Sequence, residues 1–220
     1  MKRKKLMPAV YVSAFSVTAL IFIAGILVGN YFSGLKVSSI DQLESEIKAE
    51  ALGTDLQYQI LSEHPCEFMN MSVYTTQLSE MGKKLTFMEE QLGRKNSKVL
   101  SLKEQYHLLE IQHWLYSKRW IEECGGDKEL VLFFYTNPEE CSDCEDQGYV
   151  LNYVHSKYPS FNIYSFEYAI ENPALDTLKE LYNLEKNRLP TVVIGETVYY
   201  GFQSKDQLMQ ILGLGDEEQN

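Results

Sequence analysis

The chain has 220 residues, 45% of them hydrophobic and 23% charged. That composition excludes a wholly disordered protein and leaves room for one or two domains. The formal net charge is −11. Lys2, Arg3, Lys4 and Lys5 supply four cations in the first five residues, so the remainder carries about −15, which excludes a nucleic-acid partner.

The first predicted element is the run "LMPAVYVSAFSVTALIFIAGILVG", Leu6 to Gly29, which has 24 residues and no charge. A membrane-spanning helix needs about 20 residues, whereas a cleavable signal peptide has a shorter apolar core and a small-residue cleavage site. "GNYFSG" is a poor cleavage context, so residues 1–30 read as a cytoplasmic basic tip and an uncleaved signal anchor. The basic flank puts the N-terminus in the cytoplasm and the bulk of the chain outside it. Tyr31 and Phe32 suit the far interface.

Residues 31–65 carry a weak helical pattern, Ile40, Leu43, Ile47, Leu52, Leu56 and Ile60, which Gly53 is expected to interrupt. This is a stalk whose apolar side would pack on a second copy of itself or on the helices that follow. Residues 66–124 hold stronger signals. Leu78, Met81, Leu85, Met88 and Leu92 alternate steps of three and four, as do Val99, Leu102, Tyr106, Leu109, His113, Tyr116 and Trp120. "GRKNSK" lies between them as a turn in which glycine and asparagine can take left-handed conformations. The expectation is an antiparallel helical hairpin.

The four cysteines would lie where disulfides persist, and they allow three pairings. Cys66 lies 26 residues before Leu92 and Cys124 lies 26 after Lys98, so folding at the turn brings both to the open end of the hairpin. Pro65 suits a first helical turn, and Gly125–Gly126 suit a helix stop. A structural Cys66–Cys124 disulfide is expected. The alternatives are two unpaired buried thiols or a redox partnership with the remaining pair. "NMS", Asn70 to Ser72, matches the glycosylation sequon.

Over residues 127–213 the texture changes. "ELVLFFY" reads as a buried parallel strand. "GYVLNYVHSKYP" has helical spacing, "FNIYSFEYA" alternates like a strand, and "NPALDTLKELYNLEKN" is a helix with Asn172 as cap and Pro173 in its first turn. "LPTVVIGETVYYGF" is a hairpin around Gly195–Glu196, and "SKDQLMQIL" is a helix capped by Ser204. The order is β-α-β-α-β-β-α. Residues 214–220 read as a disordered tail.

Cys141 and Cys144, in "EECSDCED", could be half of a zinc site, a small clip or a redox dithiol. Zinc needs four ligands, but His64, His107, His113 and His155 are scattered, so no metal site is expected. His113, on its helix stripe, reads as a core or interface residue, and His155 as a surface or core residue.

With strand, CxxC, helix and "RLPTVVI" in this order, residues 129–212 resemble the thioredoxin-fold superfamily. The resemblance implies an α/β thioredoxin-like domain behind the transmembrane helix and the hairpin. It also implies a thiol-disulfide oxidoreductase acting on protein disulfides, without a cofactor. Cys141 would be the exposed attacking thiolate at the helix N-terminus, and Cys144 the more buried resolving thiol. Pro190 would be a cis-proline facing them, with Leu189 and Thr191 binding an extended substrate. Partners would be protein thiols and disulfides and an extracytoplasmic or membrane-bound electron donor or acceptor. The chain departs from thioredoxins proper, having Glu140 before the pair, Ser142–Asp143 within it and no acid in "LVLFFY". Glu145 and Glu167 are the candidate proton acceptors for Cys144. Glu139, Glu140, Asp143, Glu145 and Asp146 would destabilise a thiolate and favour a reductase or isomerase over a strong oxidant, or simply keep the helix start solvated. The competing reading is a tethered binding module with a structural Cys141–Cys144 disulfide.

Overall fold

The computed structural model describes residues 8–63, 66, 71–137 and 139–214; Pro65, Asn70 and residues 215–220 of the tail lie outside them. The chain divides into two compact units, Met1–Glu46 and Ile47–Asn220. The first contains one 19-residue stretch, Tyr11–Gly29, long and apolar enough to cross a membrane.

Helix α1 spans Pro8–Glu63. Gly53 does not interrupt it: it is inside the helix, with open space where a side chain would be, and a single glycine costs a long helix only about 1 kcal/mol. Within the second unit, Ile47, Thr54, Tyr58 and Leu61 of α1 are buried. Tyr58 and Leu61 cluster with Tyr116 of α3 (Ser97–Cys124), whose hairpin partner is α2 (Met71–Leu92). The Tyr58 ring meets Tyr116, Asp55 accepts from Gln112 at 2.7 Å, and Glu50 pairs with Lys84 at 2.6 Å. The stripe read from the sequence is covered only in part: Ile47 is buried, but Leu52, Leu56 and Ile60 are exposed, and the buried face of α1 runs instead through Thr54, Tyr58 and Leu61.

The turn joining α2 and α3 divides its duties. Gly93 takes the left-handed conformation, φ +87. Asn96 does not; with φ −68 it caps α3, its side chain accepting from the Lys98 amide. At the other end Gly125, φ +74, closes α3. Cys66 and Cys124 are joined as a disulfide, with Cα atoms 5.6 Å apart.

From Glu129 the order is β1 (Glu129–Tyr135), α4 (Cys144–Lys157), β2 (Phe161–Glu167), α5 (Pro173–Leu181), a 3-10 turn (Lys186–Arg188), β3 (Thr191–Ile194), β4 (Thr197–Tyr200) and α6 (Lys205–Ile211). The four strands form a mixed sheet ordered β2-β1-β3-β4, with β1 and β2 parallel and the other pairs antiparallel. Period-2 alternation sorts the strands' side chains between two cores. Leu132, Phe134, Tyr164, Phe166 and Val193 face Ile111 and Trp114 of α3 and Leu175 and Leu178 of α5. Val131, Phe133, Phe161, Val192 and Ile194 face α4 and α6 through Leu151, Val154, Leu208 and Met209. Asn172 and Ser204 cap α5 and α6 with their side chains.

Strand β2 lies at the sheet's edge, and an uncovered edge exposes backbone donors. Side chains of α3 cover it. Glu110 Oε1 accepts from the Ser165 amide at 2.9 Å, and His107 Nε2 accepts from the Glu167 amide at 3.2 Å. Because that amide can only donate, the neutral ring carries its proton on Nδ1 and donates it to Glu110 Oε2, 3.0 Å away. The hairpin is therefore built into the sheet's edge.

Candidate functional site

Cys141 and Cys144 are joined as a disulfide, with Cα atoms 5.5 Å apart. The Glu140 and Cys141 amides both donate to the Asn137 carbonyl, at 2.9 and 3.1 Å, winding a tight turn between β1 and the pair. Helix α4 begins at Cys144, with Asp143 at its N-cap. Cys141 thus lies in the turn ahead of the helix, and Cys144 takes the terminal position expected for its partner. The expected contrast in exposure is also absent, since Cys141 is 6% exposed and Cys144 4%. The turn wraps the first cysteine while the bond shields both sulfurs.

Register puts the other expected residues at the same end of the sheet. Thr191, the first residue of β3, pairs with Phe134 near the end of β1, so the loop carrying Cys141 leaves beside the segment entering β3. The Leu189–Pro190 peptide bond is cis. Pro190 is buried and Leu189 half-buried. The Pro190 carbonyl accepts from the Gly201 amide at 2.8 Å, and Thr191 is fully buried with its hydroxyl donating to the Arg188 carbonyl at 3.3 Å. Arg188 in turn stacks over Tyr200, 3.5 Å from the ring centre. Thr191 therefore serves the loop's internal structure.

Four of the five acids around the pair have distinct partners. Glu139 pairs with Lys95 of the hairpin turn at 3.4 Å, and Glu140 with Lys186 of the 3-10 turn at 2.7 Å. Glu145 accepts from the Tyr149 hydroxyl at 3.2 Å, and Asp143 accepts from Ser142 at 3.1 Å. Consecutive glutamates thus tie the dithiol loop to elements on both sides of it.

Behind the disulfide lies a cavity of about 240 Å³ whose lining includes Cys144, Tyr135, Glu89, Arg94, Lys103 and Glu167. Lys103, 3% exposed, donates to Glu167 Oε2 at 2.6 Å and is also ion-paired with Glu89. Burial pushes the Tyr135 hydroxyl well above its ordinary value, with Glu167 adding to the effect. This charge cluster sits at one wall of the cavity that reaches Cys144. Glu145 lines the cavity too, but its place on the exposed start of α4 leaves Glu167 as the buried carboxylate there.

Sequence reasoning missed Glu89, Lys103, Arg94, Lys95 and Lys186, because four of these five lie in the hairpin, outside the α/β segment. One signal was available. Lys103, His107, Glu110, His113 and Ser117 recur at steps of three and four along α3, and all are buried. A polar stripe at helical spacing beside an apolar one marks a face that must find polar partners inside the fold. His113 is a core residue, its Nδ1 2.7 Å from the Tyr164 hydroxyl. His155 is half-buried, with its ring edge-on to Phe161. Among the described residues no group of His, Cys, Asp and Glu could hold a metal ion.

No protein-family model matches the chain, and no curated protein does. Among solved structures the chain is similar to chloroplastic thioredoxin z, with 18% identity and a TM-score of 0.33, over 44% of this chain and 87% of that one.

Proposed function

We propose that this chain is a membrane-tethered, extracytoplasmic thiol-disulfide oxidoreductase with a thioredoxin-like domain, acting on protein disulfides as a reductase or isomerase. The observation that carries the reading is the Cys141–Cys144 disulfide at the head of α4, on the sheet end where Leu189 and Pro190 enter β3. The apolar stretch Tyr11–Gly29 supports the tether, and the basic residues ahead of it support a cytoplasmic N-terminus.

In the proposed cycle a membrane or extracytoplasmic thiol donor supplies two electrons and reduces the disulfide. The Cys141 thiolate attacks one sulfur of a substrate disulfide, expelling the other as a thiolate and forming a mixed disulfide. Cys144 loses its proton and attacks Cys141, which releases the second substrate thiol and restores the starting bond. The substrate gains the two electrons that the dithiol loses. Leu189 offers backbone to an extended substrate, and Pro190 presents no competing amide donor to the sulfurs. Glu167, held by Lys103 at the cavity that reaches Cys144, is the better placed of the two candidate proton acceptors.

The test is trapping. Cys144→Ser, expressed in its native membrane, is expected to retain substrate proteins as mixed disulfides that Cys141→Ser does not form. A chain that exchanges with no dithiol and traps nothing would instead be a tethered binding module with a permanent disulfide. That second reading draws on one observation, the burial of both cysteines.

A further inference from the structure

The tip of the helical hairpin borders the dithiol loop. Gly93, Arg94 and Lys95 line an open cleft of about 490 Å³ together with Asn137 and Glu139. The Asn137 carbonyl is the one that holds the Glu140 and Cys141 amides, so one side of the cleft is the turn that carries Cys141. Arg94 also lines the cavity reaching Cys144. The cleft thus lies within reach of any polypeptide engaged at the disulfide.

Its charges are not equivalent. Glu139, the acid of the cleft, is engaged by Lys95, and Glu140 beside it is engaged by Lys186. Arg94 is exposed and, among the described residues, is in no ion pair. The uncommitted charge facing the cleft is therefore a cation, although the chain as a whole is acidic. A guanidinium accepts a carboxylate in two parallel hydrogen bonds.

We infer that the hairpin tip is a wall of the substrate groove, and that Arg94 favours polypeptide disulfides with a carboxylate beside the reacting cysteine. The inference rests on the oxidoreductase reading. A small disulfide is too short to span both Cys141 and the tip, whereas an extended peptide engaged at Cys141 is long enough to meet it. Exposed charges at the rim of an interface act on encounter and on salt dependence more than on tightness, so the preference is moderate and salt-sensitive.

The experiment compares the reduced wild-type protein, Arg94→Ala and the double variant Arg94→Glu/Lys95→Glu. Each is given matched disulfide peptides with Asp or Lys beside the cysteine, and hydroxyethyl disulfide as a neutral small substrate. Gly93 and Asn96, which shape the turn, are kept, and circular dichroism reports the fold. Wild type is expected to prefer the Asp peptide. Arg94→Ala should lower kcat/KM for that peptide about three- to fivefold, the size of an exposed charge pair. The double variant should reverse the preference, and rising salt should shrink it in every protein. The preference is read as the Asp-to-Lys ratio within each protein, so any change at the sulfurs themselves, reported by hydroxyethyl disulfide, cancels from it. A ratio that is the same in all three proteins overturns the tip's role alone. No turnover of hydroxyethyl disulfide by the wild type overturns the oxidoreductase reading and the inference with it.

Discussion

Glu140 Oε2 and Lys186 Nζ stand 2.7 Å apart, joining the residue that precedes Cys141 to the 3-10 turn that leads into Leu189 and Pro190. The pair is about half exposed, with side-chain exposures of 49% and 53%, so it contributes about 0.2–1 kcal/mol. Its electrical effect on the neighbouring sulfur has a definite sign. A negative charge beside Cys141 disfavours thiolate and hence the reduced state, and Lys186 masks that charge.

Glu140→Gln is therefore expected to make the disulfide a better oxidant, raising its reduction potential by about 5–20 mV, the two-electron equivalent of an exposed charge interaction. Lys186→Ala unmasks the carboxylate and should move the potential the other way by a similar amount. Redox equilibration against glutathione measures both shifts. Shifts of the same sign in the two variants would show that charge is not their cause.

The buried charge cluster predicts a larger effect on stability. Lys103 lies between Glu89 and Glu167, and its removal leaves two poorly solvated carboxylates without a counter-charge. Lys103→Met is expected to cost about 3–5 kcal/mol in urea unfolding. Adding Glu89→Gln and Glu167→Gln removes the stranded charges and should recover most of that loss. If the triple variant is as unstable as Lys103→Met, the lysine contributes through packing and not charge.

How much of this was legible beforehand follows from what kind of physics specifies each part. Strands β1, β3 and β4 stand out because short β-branched and aromatic runs are bounded by glycine and proline, and α5 and α6 because Asn172 and Ser204 announce their starts. These are local signals, readable within a few residues. Lys103 and Glu167 lie 64 residues apart, and nothing local says that a lysine on an amphipathic helix will be buried against a strand end. The same holds for Glu139 and Lys95, paired across a separation of 44 residues. Asn96 was ambiguous for another reason: asparagine suits both a left-handed turn position and a helix cap, and Gly93 had already supplied the left-handed residue. Cys141's burial depends on the turn around the Asn137 carbonyl, which the exposed, acidic wording "NPEEC" does not disclose.

The disulfide at the hairpin's open end should act on stability and not on the dithiol. Cys66 and Cys124 are 58 residues apart, and closing a loop of that size restricts the unfolded chain by about 4 kcal/mol in the chain-entropy model. The Cys66→Ala/Cys124→Ala variant is expected to lose up to that amount in chemical denaturation. Its potential at Cys141–Cys144 and its turnover of hydroxyethyl disulfide should match the wild type under conditions where both are folded. A changed potential would mean that the two disulfides are coupled.

Acid should weaken the second unit through two buried histidines. Burial lowers His107 to about 3, helped by Lys103 and Lys179. His107 also faces Glu110, whose carboxyl burial pushes upward against the opposing Ser165 amide. Burial likewise lowers His113 to about 4, helped by Lys128, and Tyr58, Ser117 and Tyr164 surround its ring. Unfolded, each imidazole would take a proton near 6.5; folded, each stays neutral. Their contribution is therefore complete above about pH 6.5 and is lost as pH falls toward those lower values, at about 1.4 kcal/mol per pH unit for each histidine over the steep part. The geometry gives the same sign, because a proton on His107 Nε2 would point at the Glu167 amide that now donates to it. His107→Gln and His113→Gln should each flatten the slope of stability against pH between about 6 and 4.5 by nearly one proton. Imidazole resonances in the folded wild type should show both rings neutral at pH 5.5, and a ring titrating near 6.5 in the folded protein would refute the assignment for that residue.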